Sequence, residues 1–587
     1  MLELARRYQD FPGLPRLTPS LATDYFERVA LKAEGAALPV WRGDLYLETH
    51  RGTFTNKGRL KKLNRRAEFL YRLAELLASW AWLHTGDYPD DLLETGWKKL
   101  LTTQFHDSLP GTHVHEAYME LLAEFEQIFD IGAQVMETAV SHLFTPHMNS
   151  APTAFSLFNP FGHTRGGVEK LPLDLPEVLT LTDLNGTIIP TQHVNDLDGT
   201  PMTLAALPPV GATAFYPLRL AEKLRLAKKG KDEKQTPLKV GPDWLENEFL
   251  VVHFNQLGEI ISMFDKRAGR QVFASGERGN HFQMYEDIPG KYDAWDIVTN
   301  YRQREISLGA NGQITVEETG PLRVSLRLER TFGASKLIQR ISLRQNDPLL
   351  YFETFVDWQE RQKLLKVGFP LDVHALDATF DVAFGNLQRP THRNTSYESA
   401  RFEVPAHLWV DVAETGYGAA LLNDCKYGHE VVESMLRLTL LKGSISPDPT
   451  ADMEEHFFTY ALYPHAGNWR EAQVIQRALN LNEPLAVFAG ERPFPRQPLL
   501  QYDVENVTLE AVKRTEDGDG LIIRLVERYN QRTTAVLQFA HPVQAAWVCN
   551  LMEEIEAALV PADSQLQVTL KPYEILTLKV KIDPQSV

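Results

Sequence analysis

The side chains best suited to chemistry form the short segment Gln104-Phe105-His106-Asp107, which is followed by Pro110-Gly111. A helical pattern upstream runs into this Pro-Gly pair, and such a break frees backbone groups and fixes side chains at a helix end. Imidazole is the commonest protein ligand for transition metals, and a neighbouring carboxylate can share the metal or accept hydrogen bonds from hydroxyl groups. Because one histidine cannot hold a metal alone, the segment requires further ligands from elsewhere.

A structural interpretation of the same segment remains open. His106 would then be a buried histidine bonded to the backbone, and Asp107 would cap the turn. The nearby pair in His113-Val114-His115 could supply two ligands from a strand. Since these residues open a helical pattern, we expect them to be exposed or to cap the helix.

Three further segments combine acidic, basic and aromatic residues. They are Trp41 to Thr53 (WRGDLYLETHRGT), Tyr285 to Asp296 (YEDIPGKYDAWD) and Arg389 to Asn394 (RPTHRN). Aromatic faces stack on the C–H faces of sugar rings, and carboxylates accept hydrogen bonds from sugar hydroxyls, so each segment could line a polar pocket. Each could equally be a solvated loop or a sheet-edge loop, and the residues alone leave both interpretations open.

Several function classes lack support. The formal net charge of −17 disfavours nucleic acid and anionic membranes as partners, because phosphates would be repelled, but it is neutral toward uncharged ligands such as sugars. The chain contains no Walker loop, no GxGxxG motif after a strand, no GxSxG and no HExxH. Phosphate transfer, nucleotide-dependent redox chemistry and serine esterase activity are therefore not indicated.

Length and cysteine content indicate a large cytoplasmic protein. The 587 residues are too many for one core and fit roughly three or four domains. The two cysteines, Cys425 and Cys549, form neither a disulfide framework nor a CxxC motif. The first 17 residues lack the apolar core of a secretion signal, and no stretch reaches the about 18 apolar residues that span a bilayer.

The periodicity predicts an α+β fold, an antiparallel three-helix bundle followed by large antiparallel β-sandwich domains. Apolar residues recur near the 3.6-residue period over 56–84, and further helices are predicted over 91–105 and 115–144. After about Met148, short runs rich in Val, Ile, Leu, Phe and Thr alternate with Gly, Pro, Asn and Asp clusters, which indicates packed antiparallel sheets. The lysine-rich segment 227–235 and the proline-rich segment 492–498 mark boundaries.

With these segments identified, the chain resembles the C-terminal two-thirds of a glycoside hydrolase family 38 α-mannosidase from Trp41 onward. The matching segments, each weak alone and specific as an ordered series, are GDLYLETHRGTFT, QFHDSLPGT, LENEFLVVHFNQLGEI, YEDIPGKYDAWDI, GNLQRPTHRNTS, ARFEVPAHLWVD, GYGAALLNDCKYG and PDPTADMEEHFFTYALYPH. The resemblance implies retaining hydrolysis of terminal α-linked mannose in mannose-containing oligosaccharides, with a divalent metal, usually zinc.

The resemblance also implies residue roles and domains. His106 becomes one metal ligand and Asp107 a carboxylate that contacts the bound sugar. From the polar segments described above, Tyr292, Asp293, Arg389 and Arg393 are further predicted sugar contacts. The implied domains are the end of an α/β barrel-like catalytic domain (1–40), the three-helix bundle (41–147), a first β-domain (148–235), a large β-sandwich (236–491) and a C-terminal β-sandwich (492–587). By analogy alone, a homo-oligomer is expected.

The family places its nucleophile, general acid and three other metal ligands on the barrel, so none of these is expected in this chain. A retaining mechanism needs two carboxyl groups about 5–5.5 Å apart on a rigid frame. We therefore expect the chain to require a barrel domain, for example on a second polypeptide. The alternatives are a non-catalytic carbohydrate-binding scaffold, the product of a broken gene, or a different enzyme built on Glu48, His50, Asp107 and Asp293.

Overall fold

The computed structural model describes residues 2–16, 18–144, 153–176, 178–222, 237–490 and 497–582. The chain divides into two compact units, Met1–Tyr46 and Leu47–Val587. The α-helices are α1 (Leu2–Tyr8), α2 (Ala22–Ala33), α3 (Gly58–Thr85), α4 (Asp90–Thr103), α5 (His115–Leu143), α6 (Ser396–Ala400) and α7 (Val474–Asn482), and 3₁₀ helices span Glu48–His50, Gly52–Phe54 and Tyr301–Arg304. Within the described ranges, no helix combines the length and the apolar composition needed to cross a membrane.

The first unit contains two helices, α1 and α2. Helix α2 buries none of its residues, and its apolar side chains Tyr25, Phe26 and Val29 are exposed. The four prolines of this segment (Pro12, Pro15, Pro19 and Pro39) fall outside both helices, because proline interrupts a helix interior. Helix α1 therefore ends before Pro12, and α2 lies between Pro19 and Pro39.

Helices α3, α4 and α5 form the predicted bundle, with bounds close to those that the apolar periodicity indicated. Tyr71 of α3 is fully buried and donates its hydroxyl to the carbonyl of Ile128 on α5 (2.8 Å). Gly96 of α4 lies against the same ring, because a Cβ there would sit 2.0 Å from the Tyr71 hydroxyl oxygen. A glycine on one helix thus provides the space for a large aromatic residue on another.

The remainder of the second unit consists mainly of strands. Up to residue 306 these are β1 (Ala154–Asn159), β2 (Arg165–Leu171), β3 (Leu179–Thr182), β4 (Ile188–Ile189), β5 (Thr191–Asn195), β6 (Pro201–Val210), β7 (Ala214–Glu222), β8 (Lys239–Gly241), β9 (Trp244–Glu246), β10 (Leu250–Phe254), β11 (Ile260–Asp265), β12 (Arg270–Gln271), β13 (His281–Glu286) and β14 (Glu305–Ile306).

The central part of the chain continues with strands β15 to β28. They are β15 (Gly312–Thr319), β16 (Arg323–Phe332), β17 (Ser335–Arg344), β18 (Leu350–Asp357), β19 (Lys363–Pro370), β20 (Asp377–Val382), β21 (Gly385–Pro390), β22 (Val404–Pro405), β23 (Trp409–Glu414), β24 (Tyr417–Asn423), β25 (Gly428–Val432), β26 (Met435–Lys442), β27 (Glu455–Ala466) and β28 (Ala486–Ala489).

The C-terminal part contains eight strands in its described residues. They are β29 (Leu500–Gln501), β30 (Val507–Arg514), β31 (Leu521–Glu527), β32 (Thr533–Phe539), β33 (Val543–Cys549), β34 (Ile555–Leu559), β35 (Gln565–Leu570) and β36 (Ile575–Ile582).

The described strands pair in antiparallel fashion and form seven sheets, which confirms the predicted α+β fold class with large antiparallel sheets. The two largest sheets have the orders β15-β16-β17-β18-β27-β24-β23-β20-β21 and β14-β13-β19-β26-β25-β22. The others are β28-β1-β7-β3-β4, β12-β11-β10-β9-β8, β2-β6-β5, β29-β32-β35 and β30-β31-β36-β33-β34. Strand β28 pairs with β1, so the chain returns to its first β-domain after the large one.

The predicted boundary segments 227–235 and 492–498 lie outside the described residues, apart from 497 and 498. The core nevertheless shows how two predicted domains join. Buried residues of the bundle, such as Tyr71 and Trp80, belong to the same apolar cluster as Leu509 and Leu578 of the C-terminal sheets. The bundle is therefore packed against the C-terminal sandwich and does not form a separate core.

Replacing Gly96 by alanine tests the packing of the bundle. The added methyl group would displace the buried Tyr71 ring, and overpacking of this kind costs about 1–3 kcal/mol, more than the helix propensity that alanine gains. We expect a lower midpoint in urea unfolding followed by tryptophan fluorescence. Gly211→Ala is the control, since the nearest atom to its new Cβ would be 3.7 Å away. An unchanged or raised midpoint for Gly96→Ala would contradict the packing.

Candidate functional site

His106 and Asp107 lie in a turn between the end of α4 and the start of α5. The side chain of His106 is 76% exposed and that of Asp107 is 48% exposed, with 3.5 Å between His106 Nε2 and Asp107 Oδ2. The other carboxylate oxygen accepts a hydrogen bond from the Thr112 hydroxyl (2.7 Å). A buried histidine is thereby excluded, and the imidazole is accessible to a ligand.

The Pro-Gly pair shapes this turn through one close contact. Gly111 has φ +80°, and a Cβ there would lie 2.7 Å from the Lys57 Cβ and 2.8 Å from the Asn56 carbonyl oxygen. The side-chain amide of Asn56 donates to the Gly111 carbonyl. Only glycine tolerates both the conformation and the approach, so this position holds the turn against the start of α3.

Lys61 also stabilises the turn that carries His106. The residue is 4% exposed, and its ammonium group donates to the carbonyls of Leu109 (3.0 Å), Pro110 (3.4 Å) and Asn56. Burial lowers the pKa of Lys61 to about 7. Three backbone carbonyls of the turn and of the α3 start are thus satisfied by one side chain.

The start of α3 is in turn fixed by a loop of the large β-domain. Lys57 forms an ion pair with Asp448, and both side chains are 1% exposed. Asp452 accepts hydrogen bonds from the backbone amides of Lys57 (2.6 Å) and Gly58 (2.7 Å). A carboxylate from another domain therefore caps the helix, where the helix dipole favours negative charge.

Asp293 is buried and contacts Ile445, which lies in the same loop of the large β-domain as Asp448. Its Oδ2 accepts from the Ile445 amide (2.5 Å), its Oδ1 lies 3.8 Å from Lys442 Nζ, and burial raises its pKa. Its neighbour Tyr292 is 57% exposed and packs edge-to-face on Trp295 at 6.0 Å. Of the two predicted sugar contacts in this segment, only Tyr292 presents its side chain to solvent.

The Trp41–Thr53 cluster is divided between the two compact units. In the first unit, the Trp41 indole donates to the Asp44 carbonyl (3.1 Å). In the second, Gly52 donates its amide to the Trp295 carbonyl (2.8 Å), and a Cβ there would meet the Ala294 oxygen at 2.8 Å. The Glu48–Thr53 part therefore packs on the loop that carries Asp293.

The two arginines of the segment Arg389 to Asn394 lie in different environments. Arg389 is buried, donates to the Pro405 carbonyl (3.1 Å) and lies over the Phe380 ring at 4.7 Å. Arg393 donates to the buried Glu430 (2.8 Å) and lines a cavity of about 330 Å³. The structure thus brings Arg393 to a cavity and places Arg389 inside the protein.

Two residues that the sequence did not single out complete this region, namely Arg302, which also lines the cavity, and Glu430, the buried partner of Arg393. Arg302 follows Tyr301 in a 3₁₀ helix, and Glu430 lies within β25. Glu430 precedes Val431 and Val432 in this strand, and a carboxylate beside apolar strand residues is a signal of an internal ion pair, so it could have been identified on that basis.

One cluster with metal-ligand chemistry occurs in the described part of the chain, and it does not include His106. Ligand atoms of Asp452, Glu454 and His456 lie within 4.8 Å of one another. Each is already engaged, since Asp452 caps α3, Glu454 accepts from the Tyr118 hydroxyl, and His456 Nε2 lies 2.8 Å from the Asp452 carbonyl oxygen. We interpret this cluster as structural.

Breaking the buried ion pair should destabilise the protein strongly. Lys57→Met keeps the aliphatic stem beside Gly111 but removes the buried ammonium partner of Asp448 and leaves that carboxylate with the half-exposed His115 imidazole at 3.3 Å. Breaking a buried pair in this way costs about 3–5 kcal/mol. Urea unfolding should show this loss, and Lys57→Met combined with Asp448→Leu should recover most of it. Arg59→Met is the control, because its pair with Glu454 has a half-exposed guanidinium and contributes about 0–1 kcal/mol. Equal losses for Lys57→Met and Arg59→Met would refute the role of the pair.

Lys61 should give the stability a distinct pH dependence. The pKa is about 7 in the folded state against 10.5 ordinarily, so between these values the unfolded chain binds more protons and the free energy of unfolding rises with pH. The penalty for the buried charge is largest below about pH 7. Lys61→Met should lack this rise when unfolding is measured from pH 6 to about 10. Lys98→Met, on an exposed lysine, is the control, and a wild-type slope in Lys61→Met would disprove the assignment.

Comparison with known proteins identifies the domains that carry this site. Three family models match, namely "Alpha mannosidase middle domain" over residues 48–143, "Glycosyl hydrolases family 38 C-terminal domain" over 245–450 and "Glycosyl hydrolases family 38 C-terminal beta sandwich domain" over 506–578. The first match contains the His106 turn, and the second contains Asp448, the buried partner of Lys57, and ends at residue 450, before Asp452.

Full-length relatives and solved structures agree with these matches. Human alpha-mannosidase 2C1 is 35% identical over 100% of this chain and 54% of its own length, and alpha-mannosidase G of Dictyostelium discoideum is 28% identical over 99% and 56%. The chain spans about half the length of these curated relatives. The crystal structure of an alpha-mannosidase from Enterococcus faecalis V583 shares the fold, with a TM-score of 0.76 at 19% identity over 98% of this chain and 73% of that one. The chain belongs to glycoside hydrolase family 38.

Proposed function

We propose that this chain is part of an α-mannosidase that removes terminal α-linked mannose with retention of configuration. The observation that carries the proposal is the exposed His106–Asp107 pair, held rigidly on a buried scaffold within the segment that matches the mannosidase middle domain. The relatives named above are alpha-mannosidases, which supports the same substrate class. Cytoplasmic location, zinc as the metal and a homo-oligomeric state stay predictions.

His106 would supply one nitrogen ligand to a divalent metal, for which zinc is our proposal. The described residues fit a metal site only in part. The exposed His106 imidazole offers one nitrogen, but no group of three potential ligands among the described residues includes His106. When bound, such a metal binds vicinal sugar hydroxyls and stabilises developing charge. We propose that the other three ligands, the nucleophile and the general acid lie on an α/β barrel domain outside residues 1–587.

Asp107 would orient the sugar. One of its oxygens is engaged by Thr112, which fixes the carboxylate plane, and the other faces the His106 ring. A carboxylate held in this way accepts a hydrogen bond from a sugar hydroxyl in a fixed direction. The role of Tyr292, Asp293, Arg389 and Arg393 as sugar contacts stays a prediction, and the burial of Asp293 and Arg389 makes these two the weaker candidates.

The surface near the turn fits a covering domain. Phe105, Leu101 and Met119 are each more than half exposed, and Val114 is 49% exposed. An apolar group of this kind beside a functional residue is typical of an interface. Trp97 of α4 does not belong to this exposed group, because it packs on Tyr71 and its indole donates to Glu75 (2.9 Å).

Hydrolysis of p-nitrophenyl α-mannoside tests the proposal. The chain alone should show no turnover, and turnover should appear when a polypeptide that carries the barrel is added and should be lost with a chelator. His106→Ala should lower kcat/KM of the complete enzyme by at least about 100-fold, since a ligand and its charge stabilisation are removed. His193→Ala, on an exposed histidine of β5, is the matched control.

Two outcomes would count against the proposal. Turnover by the pure chain that His106→Ala leaves unchanged would place the active centre elsewhere in these residues. Binding of mannose in calorimetry that depends neither on metal nor on His106, without turnover in any combination, would favour the non-catalytic carbohydrate-binding scaffold.

A further inference from the structure

The cavity beside Arg393 has a lining unlike that of a neutral sugar site. Its volume is about 330 Å³, within the about 300–1,000 Å³ typical of small-molecule pockets. The wall brings together three guanidinium groups, two hydroxyl groups and an aromatic ring, from Arg51, Arg302, Arg393, Ser396, Ser399 and Phe402.

Positive charge exceeds negative charge around the buried Glu430, which contacts two of the arginines that line the cavity. Glu430, whose side chain is 1% exposed, is the shared partner of three arginines: Arg393 at 2.8 Å, Arg437 at 3.3 Å and Arg302. The Tyr301 hydroxyl also donates to this carboxylate (3.0 Å). One negative charge thus serves three positive charges, which leaves an excess of two.

The neighbouring ion pairs do not remove this excess. Lys366 is paired with Glu403, and both are fully buried. Arg51 is paired with Asp296 at 3.1 Å. Each of these pairs is neutral as a whole, so the surplus of the Glu430 cluster persists.

Two further observations concern the surplus of positive charge around Glu430. Burial and the nearby Arg302 charge lower the pKa of Arg393 to about 10, as expected for a cation whose charge is incompletely compensated. Glu48, an exposed acid, also lines the cavity, and counting it reduces the excess of two positive charges to one, so the balance stays positive. In a chain with a net charge of −17, this concentration of cations is a local feature of the cavity.

We propose that the cavity binds an oxyanion, a carboxylate or phosphate group carried by a sugar-sized molecule. Arg302 and Arg393 would contact the oxyanion, because guanidinium groups match the geometry of carboxylate and phosphate. Ser396 and Ser399 would donate to further oxygens, and Phe402 offers an apolar face to the rest of the ligand. The proposal does not rest on the hydrolysis proposed above, since it concerns binding by residues other than His106.

Isothermal titration calorimetry of the full chain with inorganic phosphate and with D-glucuronate tests the site. Saturable binding of at least one probe is expected, and glucose, the neutral match of glucuronate, should not bind the cavity. Tighter phosphate binding would indicate a phosphorylated ligand, and tighter glucuronate binding an acidic sugar. Arg393→Gln should weaken the affinity for the anion at least tenfold. The control is Arg304→Gln, which should leave the affinity unchanged, because Arg304 lies in the same 3₁₀ helix as Arg302 but pairs with Glu286 (3.4 Å).

A second variant keeps the test valid if Arg393→Gln fails to fold after losing a partner of Glu430. Ser399→Glu places a carboxylate at the cavity from an exposed position and leaves the Glu430 cluster intact, and it should abolish anion binding. The proposal is overturned if neither probe binds wild-type protein, or if binding persists within twofold in Ser399→Glu.

Discussion

The ion pair between Lys57 and Asp448 is the contact on which the candidate site depends. Both side chains are removed from water, so each charge is stabilised chiefly by the other, and His115 adds a contact to Asp448 at 3.3 Å. The pair therefore holds the helical bundle and the loop of the large β-domain in one relative position. Asp452 strengthens this constraint because it caps the first amides of α3 from the same loop. The turn that carries His106 packs on these residues through Gly111, so its position follows from the pair.

A second constraint holds the bundle from its other side. Its apolar residues share one cluster with the C-terminal sandwich, which makes α3 a central element contacted by two β-domains. Hydrophobic burial of this extent is not directional, whereas the buried ion pair and helix cap are. The apolar core therefore supplies stability, and the polar contacts determine where the exposed imidazole points. Rigid elements that position an exposed turn are a common arrangement for functional residues.

The two candidate binding regions differ in their electrostatics. The His106 turn presents one imidazole and one carboxylate to solvent, a combination suited to a metal and to neutral hydroxyls. The cavity near Arg393 holds a surplus of guanidinium charge around Glu430, a combination suited to an anion. A carboxylate shared by several arginines holds them at fixed positions, and it leaves part of their positive charge to act on a ligand.

Much of the secondary structure could be predicted because its signals are local. The apolar period predicted a helix over 56–84, and α3 spans Gly58–Thr85, since the 3.6-residue repeat and its interruption are properties of neighbouring residues. The alternation of apolar runs and turn residues likewise predicted antiparallel sheets. The pairing of β28 with β1 had no such signal, because the two strands are more than 300 residues apart and their contact exists only in the folded chain.

The candidate site likewise has features that local sequence signals predict and features that depend on tertiary contacts. The sequence by itself identified His106 and Asp107 as reactive side chains at a helix end, because the residue types and the Pro-Gly break are local features. Only the tertiary structure decided which acids and arginines are accessible. Asp293 is buried because Lys442 and Ile445 contact it. Arg393 lines a cavity together with Arg302, because both arginines pair with Glu430. Burial and charge balance depend on residues distant in the chain, and they therefore become defined only when the sheets and helices pack.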